Sequence, residues 1–198
     1  MSNKHPGRLW LAADWHLWHE RMVELCYRPK DFSLRIIENI VEVVEPGDTF
    51  LNLGDISIGS RGMKEAIGTL EFLREKQVRT VLVRGNHDSQ SQHWYLNHGW
   101  TWACDGLLME YGGQKIWFSH EPVVSNACPE CSGMPRDIYL NIHGHLHNSL
   151  HRGSALNDGR HILIASEHLD YRPILLDKVL QIGRTPAYRH GRFEALVP

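Results

Sequence analysis

The chain has 198 residues, 42% hydrophobic and 22% charged, which places it in the range of one folded domain and excludes a disordered polypeptide. No apolar run is long enough to span a bilayer, the start Met1-Ser2-Asn3-Lys4 is polar and unlike a signal sequence, and a net charge of -2 gives no general attraction to polyanions. A cytoplasmic protein without a membrane partner is expected. Four cysteines do not make a disulfide framework, so no disulfide-linked partner is expected either. Cys26 and Cys104 read as isolated thiols. Cys128-Pro129-Glu130-Cys131 has the gap of a zinc knuckle but no second pair to close it, and reads as a surface loop with reduced thiols.

In chain order, Arg8 to Ala13 reads as an opening strand that ends in Asp14-Trp15-His16. Glu20 to Tyr27 and Ser33 to Val44 have helical spacing, the second with a cap at Asp31 or Ser33, and Glu45-Pro46-Gly47-Asp48 stops it. Thr49 to Leu53 is a second strand with Gly54-Asp55 at its tip. Met63 to Lys76 is amphipathic and helical, and the β-branched run Thr80 to Val83 delivers Arg84-Gly85-Asn86-His87-Asp88. Ser91 to His98 reads as a short helix. Leu107 to Tyr111 and Gln114 to Ser119 form a hairpin around Gly112-Gly113, ending in Ser119-His120. Glu121 to Arg136 reads as a long loop. Ile138 to Ile142 is a strand running into His143-Gly144-His145-Leu146-His147, His161 to Ala165 another strand, and Leu175 to Ile182 a terminal helix. Strand, polar tip and helix in alternation indicate an α/β fold whose chemistry sits at the strand ends. All 198 residues are expected to form one domain.

Five strand tips thus carry ligand-type residues: Asp14 and His16; Asp55; Asn86, His87 and Asp88; His120; His145 and His147. Each alone has an ordinary reading as a turn, a hydrogen-bonded pair or a surface loop. Together, each at the end of an apolar run, they point to one shared site. Carboxylate, imidazole and amide donors suit manganese, iron, zinc or nickel rather than calcium. Seven candidate ligands exceed the needs of one ion and suit two, with a carboxylate between them, as in metal-assisted phosphoryl displacement. His87 is then free to act as a proton donor, with Asp88 as its orienting carboxylate.

Asp14-x-His16, Gly54-Asp55, Gly85-Asn86-His87-Asp88, Ser119-His120 and Gly144-His145-x-His147 together resemble, in order, the motifs of the calcineurin-like metallophosphoesterases. His19-Glu20, Pro46-Gly47-Asp48 and Tyr171-Arg172-Pro173 resemble the small single-domain branch, so the likeness spans about Leu9 to Leu176. The resemblance implies two β-sheets in a sandwich with helices outside and a dinuclear centre. It assigns Asp14, His16 and His147 to the first metal, Asn86, His120 and His145 to the second, and Asp55 to the bridge. His87 would stand near the phosphate with Asp88 behind it. Ala13 departs from the Gly or Ser common before the first Asp, and the loop after Asp55 lacks the Asp-Arg-Gly of the protein-phosphatase branch, which argues against phosphoprotein substrates. His19 and Arg61 are candidate phosphate contacts, with capping or solvated roles as the ordinary alternatives. His143 is read as a strand residue facing away from the metals.

The expected activity is hydrolysis of a phosphodiester, nucleotide-like in character, by a hydroxide that two divalent metals activate, manganese being the first choice. A small-molecule phosphomonoesterase, a non-catalytic metal-binding scaffold and a single-zinc hydrolase are the rival readings. Trp15, Trp18 and Trp94 border the motifs and are candidate faces for stacking a base.

Overall fold

A computed structural model describes residues 7–125, 128–133, 135–147 and 159–182. Strands β1 (Leu9–Ala12), β2 (Thr49–Asn52), β3 (Arg79–Val83) and β4 (Trp102–Cys104) run parallel, and β11 (Ile174–Leu175) pairs antiparallel with β1, giving the order β11-β1-β2-β3-β4. A second sheet has the order β10-β9-β6-β5, from β5 (Leu107–Tyr111), β6 (Gln114–Phe118), β9 (Leu140–His143) and β10 (His161–Leu163). β5 and β6 are the predicted hairpin, and β6, β9 and β10 are parallel.

Alternation along the strands assigns the two faces of the first sheet. Trp10, Ala12, Phe50 and Leu82 pack under helices α2 (Phe32–Val43) and α3 (Ser60–Glu75), with Ile36, Ile40, Leu70 and Leu73. Leu11, Ala13, Leu51, Leu53 and Val83 face the second sheet and meet Ile116, Phe118, Leu140, Ile142 and Ile162. Burial on both faces is why these strands read as continuous apolar runs, and each such side chain stabilises the fold by about 1.5–3 kcal/mol. The result is the expected α/β sandwich of two sheets flanked by helices.

Helices α1 (Arg21–Leu25), α4 (Gln92–Asn97) and α5 (Leu176–Ile182) fall within the predicted helical segments or one residue from them. The Ser33 hydroxyl caps nothing; it accepts from the Trp18 backbone N–H at 2.8 Å and so ties α2 to the first strand tip. Asp31 makes no capping bond and pairs with Arg35 at 3.0 Å. The predicted long loop from Glu121 contains instead the short hairpin β7 (Val124–Ser125) and β8 (Cys128–Ser132). The side chains of Cys128 and Cys131 and the tail from Gly183 lie outside the described residues. Neither Cys26 nor Cys104 is in a disulfide, and among the described residues no helix is long and apolar enough to cross a membrane.

Asp48 closes the other end of the sheet. Its carboxylate accepts from the Arg8 and Glu45 backbone N–H groups, from Trp10 Nε1 at 2.8 Å and from the Arg8 guanidinium. This fixes the start of β1 against the turn before β2, and thereby the register that aligns Asp14 with Asp55.

Candidate metal centre

The parallel register brings the strand tips to one edge, where the chain makes abrupt left-handed turns. Asp14, His16, Asp55, His145 and His147 all have positive φ, between 44° and 70°. Asp and His tolerate this region better than most residues, yet it still costs free energy, and such strain clusters at functional sites. Two glycines make the crowding feasible. A Cβ on Gly85 would collide with Asp55 Oδ1, and one on Gly144 with Asp14 Oδ2. The glycines that sequence reading treats as motif spacers are there because carboxylates occupy the space a side chain would need.

Two groups of donor atoms converge. Asn86 Oδ1 lies 2.9 Å from His120 Nε2 and 3.0 Å from His145 Nδ1, and those two nitrogens are 3.2 Å apart. Asp14, His16 and His147 form the other group, with His147 Nε2 3.9 Å from Asp14 Oδ1. Asp55 Oδ2 stands between them, 3.3 Å from His16 Nε2 and 3.3 Å from His120 Nε2. All seven candidate ligands named from the sequence therefore meet in one place.

The donor chemistry fits a pair of divalent cations. His16 Nδ1 is buried with no hydrogen-bond partner among the described residues, while Nε2, also buried, lies 3.3 Å from Asp55 Oδ2, and a ring so placed is costly unless something coordinates it. His120 Nδ1 donates to the Leu53 carbonyl at 2.8 Å, leaving the Nε2 lone pair toward Asn86 and Asp55, the tautomer a metal ligand needs.

Two residues that contact this cluster were not visible in the sequence. Glu167, on a 3-10 turn (Ser166–Leu169), places Oε1 3.0 Å from His147 Nδ1. Arg28, 2% exposed, donates to the same Oε1 from Nε and Nη2, and to the Trp15 and Asp14 carbonyls at 2.8 and 2.7 Å. Neither lies in a recognisable motif. The available signal was an arginine after an amphipathic helix and a lone acid near the chain's end, which resemble any surface charge.

Three sequence expectations are corrected. Asp88 does not back the His87 ring. Its carboxylate accepts from the backbone N–H groups of Gly85 and Asp55 at 2.8 Å and of Ile56 at 3.2 Å, so it clamps two strand tips together. It is buried, and the three amide donors satisfy it in place of an imidazole. Trp15 is 1% exposed and packs on Phe50 and Trp100, because the left-handed backbone at Asp14 (φ 55°) breaks the strand alternation and turns it to the helix side. Trp94 stacks on His98 with ring centres 3.7 Å apart. Neither presents a free face of the kind expected. His143 does face away, buried, with Nδ1 on the Gly144 carbonyl and its ring against His161.

His87 is exposed at the mouth, its ring 5.4 Å from that of His16, while its backbone N–H donates to Asp55 Oδ1 at 2.9 Å. His19 lies on another side of His16, ring centres 5.7 Å apart, with a buried Nδ1 that has no partner. Arg61 lies over the Trp18 ring at 5.1 Å.

The imidazoles titrate in opposite directions. Burial lowers His120, but the Asp55 hydrogen bond and the charges of Asp14 and Asp55 outweigh it and raise its pKa to about 9. His147, likewise opposed by burial, rises to about 10 through Cys26, Glu167 and Asp14. His16 falls to about 4 because burial is reinforced by the charges of His147 and Arg28, and burial with the His120 charge lowers His145. At neutral pH a cation must therefore displace protons from His120 and His147 and none from the other two. Metal uptake at about pH 7.5 is expected to release about two protons per chain, falling away above about pH 10. Titration calorimetry in buffers of different ionisation enthalpy measures this, and a value near zero at about pH 7.5 would contradict it. The sign for stability follows. Both pKa values are raised, so chelator-treated protein holds this contribution below about pH 6.5 and loses it as pH rises through about 9 to 10.

The chain belongs to the calcineurin-like phosphoesterase family, whose family model matches residues 7–192. That membership implies a phosphoester substrate, and members typically bind divalent metals. Among solved structures, AQ665, a protein of unknown function from Aquifex aeolicus, superposes with a TM-score of 0.70 at 24% identity, covering 89% of this chain and 99% of that one. It shares the fold. YfcE, a phosphoesterase from E. coli, matches at 17% identity and TM-score 0.44 over 71% of this chain and 70% of its own. An archaeal phosphodiesterase matches at 16% and 0.43 over 71% and 74%. No curated protein matches the sequence.

Proposed function

We propose that this protein hydrolyses a phosphodiester, nucleotide-like in character, with two divalent cations. The observation that carries the reading is Asp55 Oδ2, equidistant between a His16 and a His120 that belong to two separate ligand groups. Asp14, His16 and His147 would hold one cation, Asn86, His120 and His145 the other, and Asp55 both. When bound, the pair would supply an activated water and positive charge on the phosphate oxygens. The donor mixture of imidazole, carboxylate and amide suits manganese, iron, zinc or nickel, and manganese is the first ion to test. Cys26 and Cys104 outside any disulfide are consistent with a cytoplasmic setting. On this reading the 198 residues form one catalytic domain.

His87 is the general acid in this scheme. Among the described residues its exposed ring makes no side-chain hydrogen bond, so it can turn a protonated nitrogen to the leaving oxygen. His19 offers its unpartnered Nδ1 to the phosphate, and Arg61 is the cation nearest it in role, resting on Trp18. A diester leaves as a poor alkoxide and gains most from such protonation. Trp15 and Trp94 are engaged elsewhere, and a base would stack on Trp18 in place of the Arg61 guanidinium.

The test compares catalytic efficiency on an aryl phosphodiester, its monoester, and cyclic and linear nucleotides with Mn²⁺. Preference for the monoester with no nucleotide turned over would replace this reading with a phosphomonoesterase; no hydrolysis at all would leave a metal-binding scaffold. His87→Ala is expected to lower turnover about 10²–10⁴-fold with metal content unchanged. If elemental analysis shows that the variant loses metal, its assigned role is wrong.

A further inference from the structure

We propose that Glu167 and Arg28 are positioning residues that set the affinity of one metal position, the one formed by Asp14, His16 and His147, and leave the other untouched. The inference rests on the two-cation reading above. It starts from an asymmetry. His120 Nδ1 is oriented by the neutral carbonyl of Leu53 at 2.8 Å, whereas His147 Nδ1 meets the Glu167 carboxylate at 3.0 Å. A carboxylate behind an imidazole fixes its tautomer and makes the opposite nitrogen a stronger donor, and losing such a partner typically lowers metal affinity about 10–100-fold.

Arg28 makes the support rigid and local. Its planar fork reaches Glu167 Oε1, the Trp15 carbonyl and the Asp14 carbonyl at once. The guanidinium holds its donors in a wide, rigid planar fork, whereas the donors of an ammonium crowd on one freely rotating nitrogen. The guanidinium thus links the backbone of one ligand, Asp14, held at φ 55°, to the carboxylate behind another, His147. The Asp14 carboxylate itself is free of it and accepts from the His145 backbone N–H. Cys26 closes the same corner, its donor atom grouped with those of His147 and Glu167. None of these residues touches Asn86 or His120 in the described hydrogen-bond network.

The experiment measures Mn²⁺ dissociation constants by calorimetry and manganese electron paramagnetic resonance in two backgrounds. Asn86→Ala weakens the second position, so the tighter constant reports the first. His16→Ala does the reverse. Glu167→Gln, nearly isosteric, is expected to raise the constant about 10–100-fold in the Asn86→Ala background and leave it unchanged in the His16→Ala background. Arg28→Lys should show the same selectivity. Where Glu167→Gln fails to fold by circular dichroism, Glu167→Asp, which keeps the charge but falls short of His147, should give the same selective loss. Equal effects in both backgrounds, or none in either, would overturn the proposal. Wild-type protein is titrated alongside. If it binds fewer than two ions, the two-cation reading has failed; if it binds two and the variants are indistinguishable from it, only this inference has.

Discussion

Asp55→Asn should remove both cations together and abolish measurable turnover. The carboxylate reaches a ring of each candidate ligand set, with one oxygen 3.3 Å from His16 and from His120. Its other oxygen accepts from the His87 backbone N–H. Asparagine keeps the size and loses the negative charge, so neither cation would retain its shared anion. Burial raises the Asp55 pKa, but hydrogen bonds from His120 and His16 outweigh it and hold the group far below the ordinary carboxylate range. It therefore stays ionised throughout the working range, and its contribution is lost only in strong acid. Metal charge stabilisation is worth several kcal/mol, or roughly three powers of ten in rate at about 1.36 kcal/mol per tenfold. The comparison is with Asn86→Ala and His16→Ala, each expected to weaken one position. If elemental analysis of Asp55→Asn shows one cation at full occupancy, Asp55 is not a bridge.

The convergence of the candidate ligands was legible because each is a metal-type residue at the end of an apolar strand, and a parallel sheet brings strand ends to one edge. The helices were legible from their spacing. What could not be read was anything settled by packing between distant segments. Asp88 follows His87 in sequence, which suggests a pair, yet its carboxylate closes on the backbone amides of Gly85, Asp55 and Ile56. Trp15 lies between two candidate ligands, but the positive φ of Asp14 breaks the strand alternation and Trp15 packs under the helices beside Phe50. The edge strand β4 has three residues, one of them Trp102 at 58% exposure, too short and too mixed to show a period. Arg28 and Glu167 are 139 positions apart, and no local pattern announces that they meet.

That pair yields the largest expected loss of stability. Arg28→Met should cost about 3–5 kcal/mol, the range for breaking a buried ion pair by removing one partner. The Arg28 and Glu167 side chains are 0% and 4% exposed, so water cannot take over the missing donors. The Trp15 and Asp14 carbonyls lose theirs as well. For a chain of this length about 1 kcal/mol moves the melting point about 2–4 °C, so a fall of about 6–20 °C is expected in thermal denaturation. Burial alone would raise Glu167, but the His147 hydrogen bond and the Arg28 charge hold it down to about 2. In the wild type its stabilisation is therefore complete above the unfolded carboxylate pKa of about 4.3 and is lost as pH falls through about 2. Without Arg28 that loss begins at higher pH, so Arg28→Met should show an acid transition shifted upward. Adding Glu167→Leu removes the stranded charge and should recover much of the melting point, since apolar replacement of a buried ion pair is often neutral or stabilising. It should not recover the carboxylate support behind His147, so stability and metal affinity separate in the double variant. A melting point for Arg28→Met within about 2 °C of wild type would mean that the guanidinium is not the strut its contacts describe.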